Sequence, residues 1–200
     1  LRVLAWMSKD RAMLEEYRKE KPDLHATTML AARAFVPGFT RDNGKTFNFA
    51  RVFGAGDKML ARKTKVPLNK VPMVRAAMAN AFPESETWIR HQQYEHNGEW
   101  VESDFGRRMR LPEMVEGYNY KPKAFEAHIG KCAINYPIQG TAADIIKRGM
   151  LMVDKVGADL RLQIHDEYLV DGAWEPDTEL TRIHPELVTP MEVKHGISWT

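Results

Sequence analysis

The spacing of the apolar residues changes period at Gly157, and that change sets the fold class. Before it the spacing is helical: Leu4, Met7, Met13, Leu14 and Tyr17 near the start, and Ile145, Ile146, Met150, Met152 and Val153 just ahead of the glycine. After it, Leu160, Leu162 and Ile164 alternate with polar residues, His165-Asp166-Glu167 follows, and Tyr168-Leu169-Val170 resumes. Alternation with period two is strand spacing, and the polar run between two such segments reads as the turn of an antiparallel hairpin. An α+β chain is expected, mostly helical, with one hairpin near its C-terminal end and helices packed on it.

Turn and cap residues divide the helical part. A first helix runs to about Glu20 and stops before Lys21-Pro22-Asp23, because the residue before proline is pushed out of the helical region. Asp23 caps a second helix, His25 to Phe35, which Pro37-Gly38 ends. Thr40 or Asp42 starts a third, through Phe53, closed by Gly54 and Gly56. Helices are expected over 58–64 and 73–94, the latter broken at Pro83. Residues 95–123 read as short strands and loops punctuated by Gly98, Gly106, Pro112 and Gly117. Another helix begins near Ala124, is interrupted at Asn135-Tyr136-Pro137, and resumes from Gln139 to Lys155. A short strand is expected at Met191 to Val193, between Pro190 and the end. Leu1 enters an apolar run with no capping residue before it, which reads as a cut through an element of a longer protein.

Composition excludes several classes. Two hundred residues with 44% hydrophobic and 28% charged content suit a globular domain, not a disordered or collagen-like chain. No run of 18 uncharged apolar residues and no secretory leader is present. The single Cys132 excludes a disulfide framework and a cysteine-based zinc site. A soluble cytoplasmic protein with no membrane partner is the expectation. The net charge of +2 hides a division: Arg41 to Arg75 holds nine Lys or Arg against two acids, and Arg161 to Thr200 eight acids against three bases. Either the first stretch holds a polyanion and the second holds cations, or both are solvated faces.

Three constellations carry candidate chemistry. Arg41, Lys45, Phe49 and Phe53 recur every four residues and share one helix face. Two cations near a helix N-terminus suit a polyphosphate, and the rings below them suit a base or sugar. The competing reading is an amphipathic helix with the Phe rings in a core. Asp166 and Glu167, adjacent carboxylates at the tip of an otherwise apolar hairpin, suit Mg²⁺ or Mn²⁺, the competing reading being a polar surface turn. Asn135 and Gln139 offer amides one helical turn apart to a base edge or sugar, or serve as turn anchors around Pro137.

Together these runs resemble the family A DNA polymerases. Arg41, Lys45, Asn48-Phe49 and Phe53-Gly54 resemble the family's motif B, Asn135 to Asp144 its palm helix, and Gln163-Ile164-His165-Asp166-Glu167 its motif C. Asp23-Leu24-His25, Gly106-Arg107-Arg108 with Leu111-Pro112, and Gly196-Ile197-Ser198-Trp199 agree in order and rough spacing. The proline-rich tail is similar to that of phage-type members.

The resemblance implies a right-hand polymerase: a palm-to-fingers segment (1–24), helical fingers (25–94) and a C-terminal palm (95–200). It implies template-directed nucleotidyl transfer to a primer 3′-hydroxyl with Mg²⁺ or Mn²⁺, deoxynucleoside triphosphates and primer–template DNA, in a bacterial or phage-infected bacterial cell. His25, Arg41 and Lys45 would grip the triphosphate. Phe49 would lie against the sugar, where the family's choice of Phe or Tyr governs acceptance of dideoxy sugars, and Phe53 replaces the usual Tyr beside the templating base. Lys131 (more often Arg), Asn135, Gln139 and His165 would contact DNA. Asp166 and Glu167 would serve the metal, and with Lys45 the catalysis. The resemblance also implies that a second metal-binding Asp, in the family's motif A, precedes Leu1, with the remaining palm and thumb as partner, so that these 200 residues alone are nearly inactive. A nucleotide- or DNA-binding module needing a partner chain, and a single-subunit RNA polymerase, are the alternatives.

Overall fold

A computed structural model describes residues 1–96, 98–112, 122–176 and 178–196, which divide into two compact units, 1–140 and 141–200. The class is α+β: helices dominate, joined by two small antiparallel hairpins.

The first unit holds α1 (Arg2–Ser8), α2 (Arg11–Arg18), α3 (Leu24–Arg33), α4 (Arg41–Phe53), α5 (Asp57–Thr64), α6 (Val71–Ala81) and α7 (Pro83–Tyr94). Then come β1 (Trp100–Glu102), β2 (Arg108–Arg110) and the first part of α8 (Pro122–Lys155). Its main core gathers Ala32, Phe39, Phe47, Leu60, Val71, Val74 and Met78 from α3 to α6 and their connections. Each larger side chain there contributes about 1.5–3 kcal/mol of burial. A smaller cluster joins Val101 and Leu111 beside the β1–β2 hairpin to Cys132 and Ala133 on α8.

Most helix limits follow the local signals. Asp23 caps α3 by accepting from the Ala26 N–H (3.0 Å), and Thr40 caps α4 by accepting from that of Asn43 (3.2 Å). Gly54, at φ 63°, closes α4 in the left-handed conformation that glycine adopts without a Cβ clash.

Three expectations are corrected. The first helix is two: Lys9 turns left-handed and Asp10 starts α2. Asp10 is wholly buried, and its carboxylate accepts from the Met13 N–H (3.0 Å) and from the Ser85 N–H in the first turn of α7 (2.9 Å). Satisfying two helix N-termini at once outweighs one continuous turn. Second, α8 passes through Pro137 without the interruption expected at 135–137. Proline in a helix interior costs about 3 kcal/mol, and burial of Ala133, Ile134 and Ile138 on either side offsets it. Third, Met191 to Val193 form no strand; Met191 and Val193 are exposed, and no strand among the described residues pairs with them. Gly117 and Ile197-Ser198-Trp199 lie outside the described residues.

The second unit contains the rest of α8, the hairpin of β3 (Asp159–Ile164) and β4 (Glu167–Asp171), and a 3-10 turn, Thr178–Arg182. Ile164 pairs with Glu167, leaving His165-Asp166 as the turn, with His165 at φ 52°. Tyr168 anchors the hairpin: its hydroxyl donates to the Ile146 carbonyl on α8 (2.6 Å), directly over Gly149, where any Cβ would collide with it. Burial raises the Tyr168 pKa. No helix among the described residues is long and apolar enough to cross a membrane.

Candidate functional site

Thirteen residues of unbroken helix bring Arg41, Lys45, Phe49 and Phe53 along one side of α4, and all four are exposed. Phe49 is 40% and Phe53 50% exposed, with ring centroids 6.4 Å apart and planes 29° from parallel. The reading in which these rings fill a core therefore fails. The core side of α4 is Phe47, Ala50 and Val52. Half-covered as they are, the two rings leave unrealised part of the about 1.5–3 kcal/mol that full burial of each contributes, and together they present a flat apolar platform to solvent.

α3 lies against this helix at close range. A Cβ on Gly44 would come 2.5 Å from the His25 carbonyl oxygen, so only glycine allows the approach. The contact brings His25 to the platform, 6.0 Å from the Phe49 ring centroid. The His25 Nδ1 accepts from the Asn48 side-chain amide (3.1 Å), which also donates to Thr28 Oγ1 (2.8 Å). Burial, then the Arg41 charge, lowers the His25 pKa, so the ring is neutral at pH 7. Arg41 Nε donates to Asp23 Oδ2 (2.7 Å), and this bond holds the Asp23 carboxyl below its usual pKa.

The amide and lysine candidates of α8 differ in setting. Lys131 is exposed, and its side chain lies against Gly54 at the end of α4. Asn135 is half-buried with its Nδ2 unpaired in the described structure, and Gln139 is exposed. Arg107 donates to the Gly140 carbonyl (2.9 Å), while Arg108 lies over the Trp100 ring (4.2 Å) and pairs with Glu102 (3.0 Å).

In the second unit, His165, Asp166 and Glu167 are all exposed at the hairpin tip. Apolar surroundings were expected there, yet Leu162 is itself half-exposed, so the carboxylates meet water and not a core. Among the described residues no three His, Cys, Asp or Glu are grouped to hold a metal ion. Two adjacent carboxylates are hard oxygen donors, the chemistry that Mg²⁺ or Mn²⁺ takes when water and substrate phosphates complete its shell. The donor set fits such an ion as part of a site.

Sequence reasoning quoted Asn48 without a role and passed over Thr28, Gly44 and Gly149. A glycine inside a helix costs roughly 0.5–1 kcal/mol against alanine, so Gly44 and Gly149 were readable as close approaches. The Asn48 pairing depends on a contact between helices and had no local signal.

The model of DNA polymerase family A matches residues 1–198, and the chain belongs to that family. The thermostable DNA polymerase I of Thermus aquaticus is 29% identical over 213 residues, covering 98% of this chain and 25% of that protein. The DNA polymerase I of Pseudomonas aeruginosa is 34% identical over 186 residues, 86% of this chain and 19% of that protein. Among solved structures, the POL domain of Pol1 from M. smegmatis, in complex with DNA primer-template and dNTP, matches with TM-score 0.70 and 25% identity, over 91% of this chain and 33% of that one. The chain thus spans between about a fifth and a quarter of the length of these curated relatives.

Proposed function

We propose that the intact protein is a DNA-directed DNA polymerase and that these 200 residues supply its fingers (25–94) and C-terminal palm (95–200), with 1–24 leading into the fingers. The observation that carries this reading is the exposed face of α4, where two cations and two stacked rings stand in line with His25 at their side. A nucleoside triphosphate has the same order of parts: a polyanion, then a sugar, then a flat base.

In this reading Arg41 and Lys45 bind the phosphates, helped by the α4 N-terminus. The Nε of Arg41 is engaged by Asp23, which fixes the guanidinium while its Nη groups meet the anion. Lys45 offsets charge that grows on the leaving pyrophosphate. Phe49 packs against the sugar and Phe53 against the base. Lys131, Asn135, Gln139 and His165 contact the primer–template, and the unpaired Nδ2 of Asn135 is a donor in want of an acceptor. Asp166 and Glu167 hold Mg²⁺ or Mn²⁺, which when bound lowers the pKa of the primer hydroxyl and neutralises phosphate charge. Membership of a DNA polymerase family weighs against the RNA polymerase reading.

The test is single-nucleotide extension of a primer by the intact protein with Mg²⁺. Incorporation that follows the templating base supports the proposal; nucleotide addition without regard to template, or none, contradicts it.

A further inference from the structure

Behind the exposed platform, α3 and α4 share a polar contact that is buried at Asn48 and Thr28 and reaches the half-buried His25. Asn48, on the side of α4 that faces α3, is 1% exposed, and Thr28 is wholly buried. The Asn48 amide carries two hydrogens: one goes to Thr28 Oγ1 at 2.8 Å, the other to His25 Nδ1 at 3.1 Å. The Thr28 hydroxyl hydrogen has two acceptors in reach, the Leu24 carbonyl (3.0 Å) and Asn48 Oδ1 (3.1 Å), and with either one its lone pairs remain to accept from the Asn48 amide. Turning the amide over would leave it one buried hydrogen with no acceptor in this contact, at a cost of about 1–3 kcal/mol. The amide orientation is therefore fixed by its partners, and it presents a donor to Nδ1.

We infer that Asn48 is a positioning residue: it holds the His25 ring in the tautomer protonated at Nε2, so that the platform gains one fixed, uncharged N–H donor for a phosphate oxygen. The inference rests on the reading of α4 as a triphosphate platform. A neutral imidazole has a single N–H, and once Nδ1 accepts, that hydrogen resides on Nε2. Burial and the Arg41 charge keep the ring neutral, so the donor does not depend on capturing a proton. Phe49 flanks the ring with its plane tilted by 44°, and Gly44 keeps the two helices close enough for the amide to reach. Asn48 itself touches no substrate; it acts through His25.

The experiment reads the tautomer directly, by ¹⁵N NMR of the intact protein labelled at histidine, near neutral pH. The expected spectrum shows His25 Nδ1 as the unprotonated ring nitrogen and Nε2 as the protonated one, with Asn48→Asp moving the proton toward Nδ1. A wild-type ring protonated at Nδ1, or an equal mixture of tautomers, overturns the inference and needs no variant to fold. A second arm measures binding of deoxyadenosine triphosphate. His25→Gln places an amide near the Nε2 position and should keep most of the affinity, whereas His25→Asn mimics Nδ1 and should lose about tenfold. Equal losses in the two would overturn the donor role. If the tautomer is as stated but Lys45→Ala leaves triphosphate binding unchanged, the platform reading fails while the Asn48–His25 pairing stands.

Discussion

The face of α4 and the tip of the β3–β4 hairpin both display charged groups to water, yet they are supported in opposite ways. α4 is capped at each end, backed by Phe47 and Ala50 in the main core, and locked to α3 through Gly44 and the Asn48 amide. The helix that carries the cations and rings is thereby fixed, and Arg41 is tied to Asp23 as well. The hairpin is two strands, bulged between Leu160 and Leu162, with Arg161 clasping Asp159 and Asp171 across the ladder and Tyr168 as its anchor on α8. Two-stranded hairpins are marginal alone, so the position of Asp166 and Glu167 depends on that anchor. A binding surface for an organic ligand can be built from local packing, whereas a carboxylate pair for a metal becomes a site only when further oxygens arrive with the substrate.

The widest difference should appear on removing one group from each region. Asp166→Asn in the intact protein should abolish primer extension and the paramagnetic broadening that Mn²⁺ causes around the hairpin, while triphosphate binding at α4 persists. Broadening unchanged by the substitution would contradict the metal assignment. Lys45→Ala should lower kcat/KM for all four nucleotides alike by roughly 2–4 kcal/mol, as deleting one transition-state donor does; a normal kcat/KM would dissociate α4 from the chemistry. Gly44→Ala should destabilise the first unit by about 1–3 kcal/mol, seen as a lower Tm, because the new methyl meets backbone that cannot swing away. Tyr168→Phe should cost about 1 kcal/mol and speed amide exchange in β3 and β4 with α4 unaffected. Equal acceleration in both regions would show that they are not independently supported.

The two regions also differed in how far the sequence exposed them. α4 was legible almost to the residue, because Thr40, the four-residue spacing and Gly54 are local signals for start, face and stop. The hairpin was legible from its alternation, but its exposure was not, since burial depends on what packs beside a strand. The break at Lys9 escaped because one of the two N–H groups that Asp10 accepts, that of Ser85, lies 75 residues away, and the local one, that of Met13, does not by itself outweigh a continuous helix. Pro137 misled for the same reason: the local rule against proline was overridden by burial on both sides of it. His25 was picked out from motif resemblance, and what holds its ring became visible only when α3 and α4 were side by side.

The measurement that tests the account most directly concerns one ring on α4. Phe49 is exposed between Lys45 and Phe53 and has no hydroxyl to stand in for the missing 3′-OH of a dideoxynucleotide. The ratio of kcat/KM for a deoxynucleotide to that for the matching dideoxynucleotide, taken for the intact protein and for Phe49→Tyr, isolates this contact from general binding. The account predicts a high ratio in the wild type, a much smaller one in the variant, and nearly equal incorporation of ordinary nucleotides by both. An unchanged ratio would contradict the placement of the incoming sugar on this face.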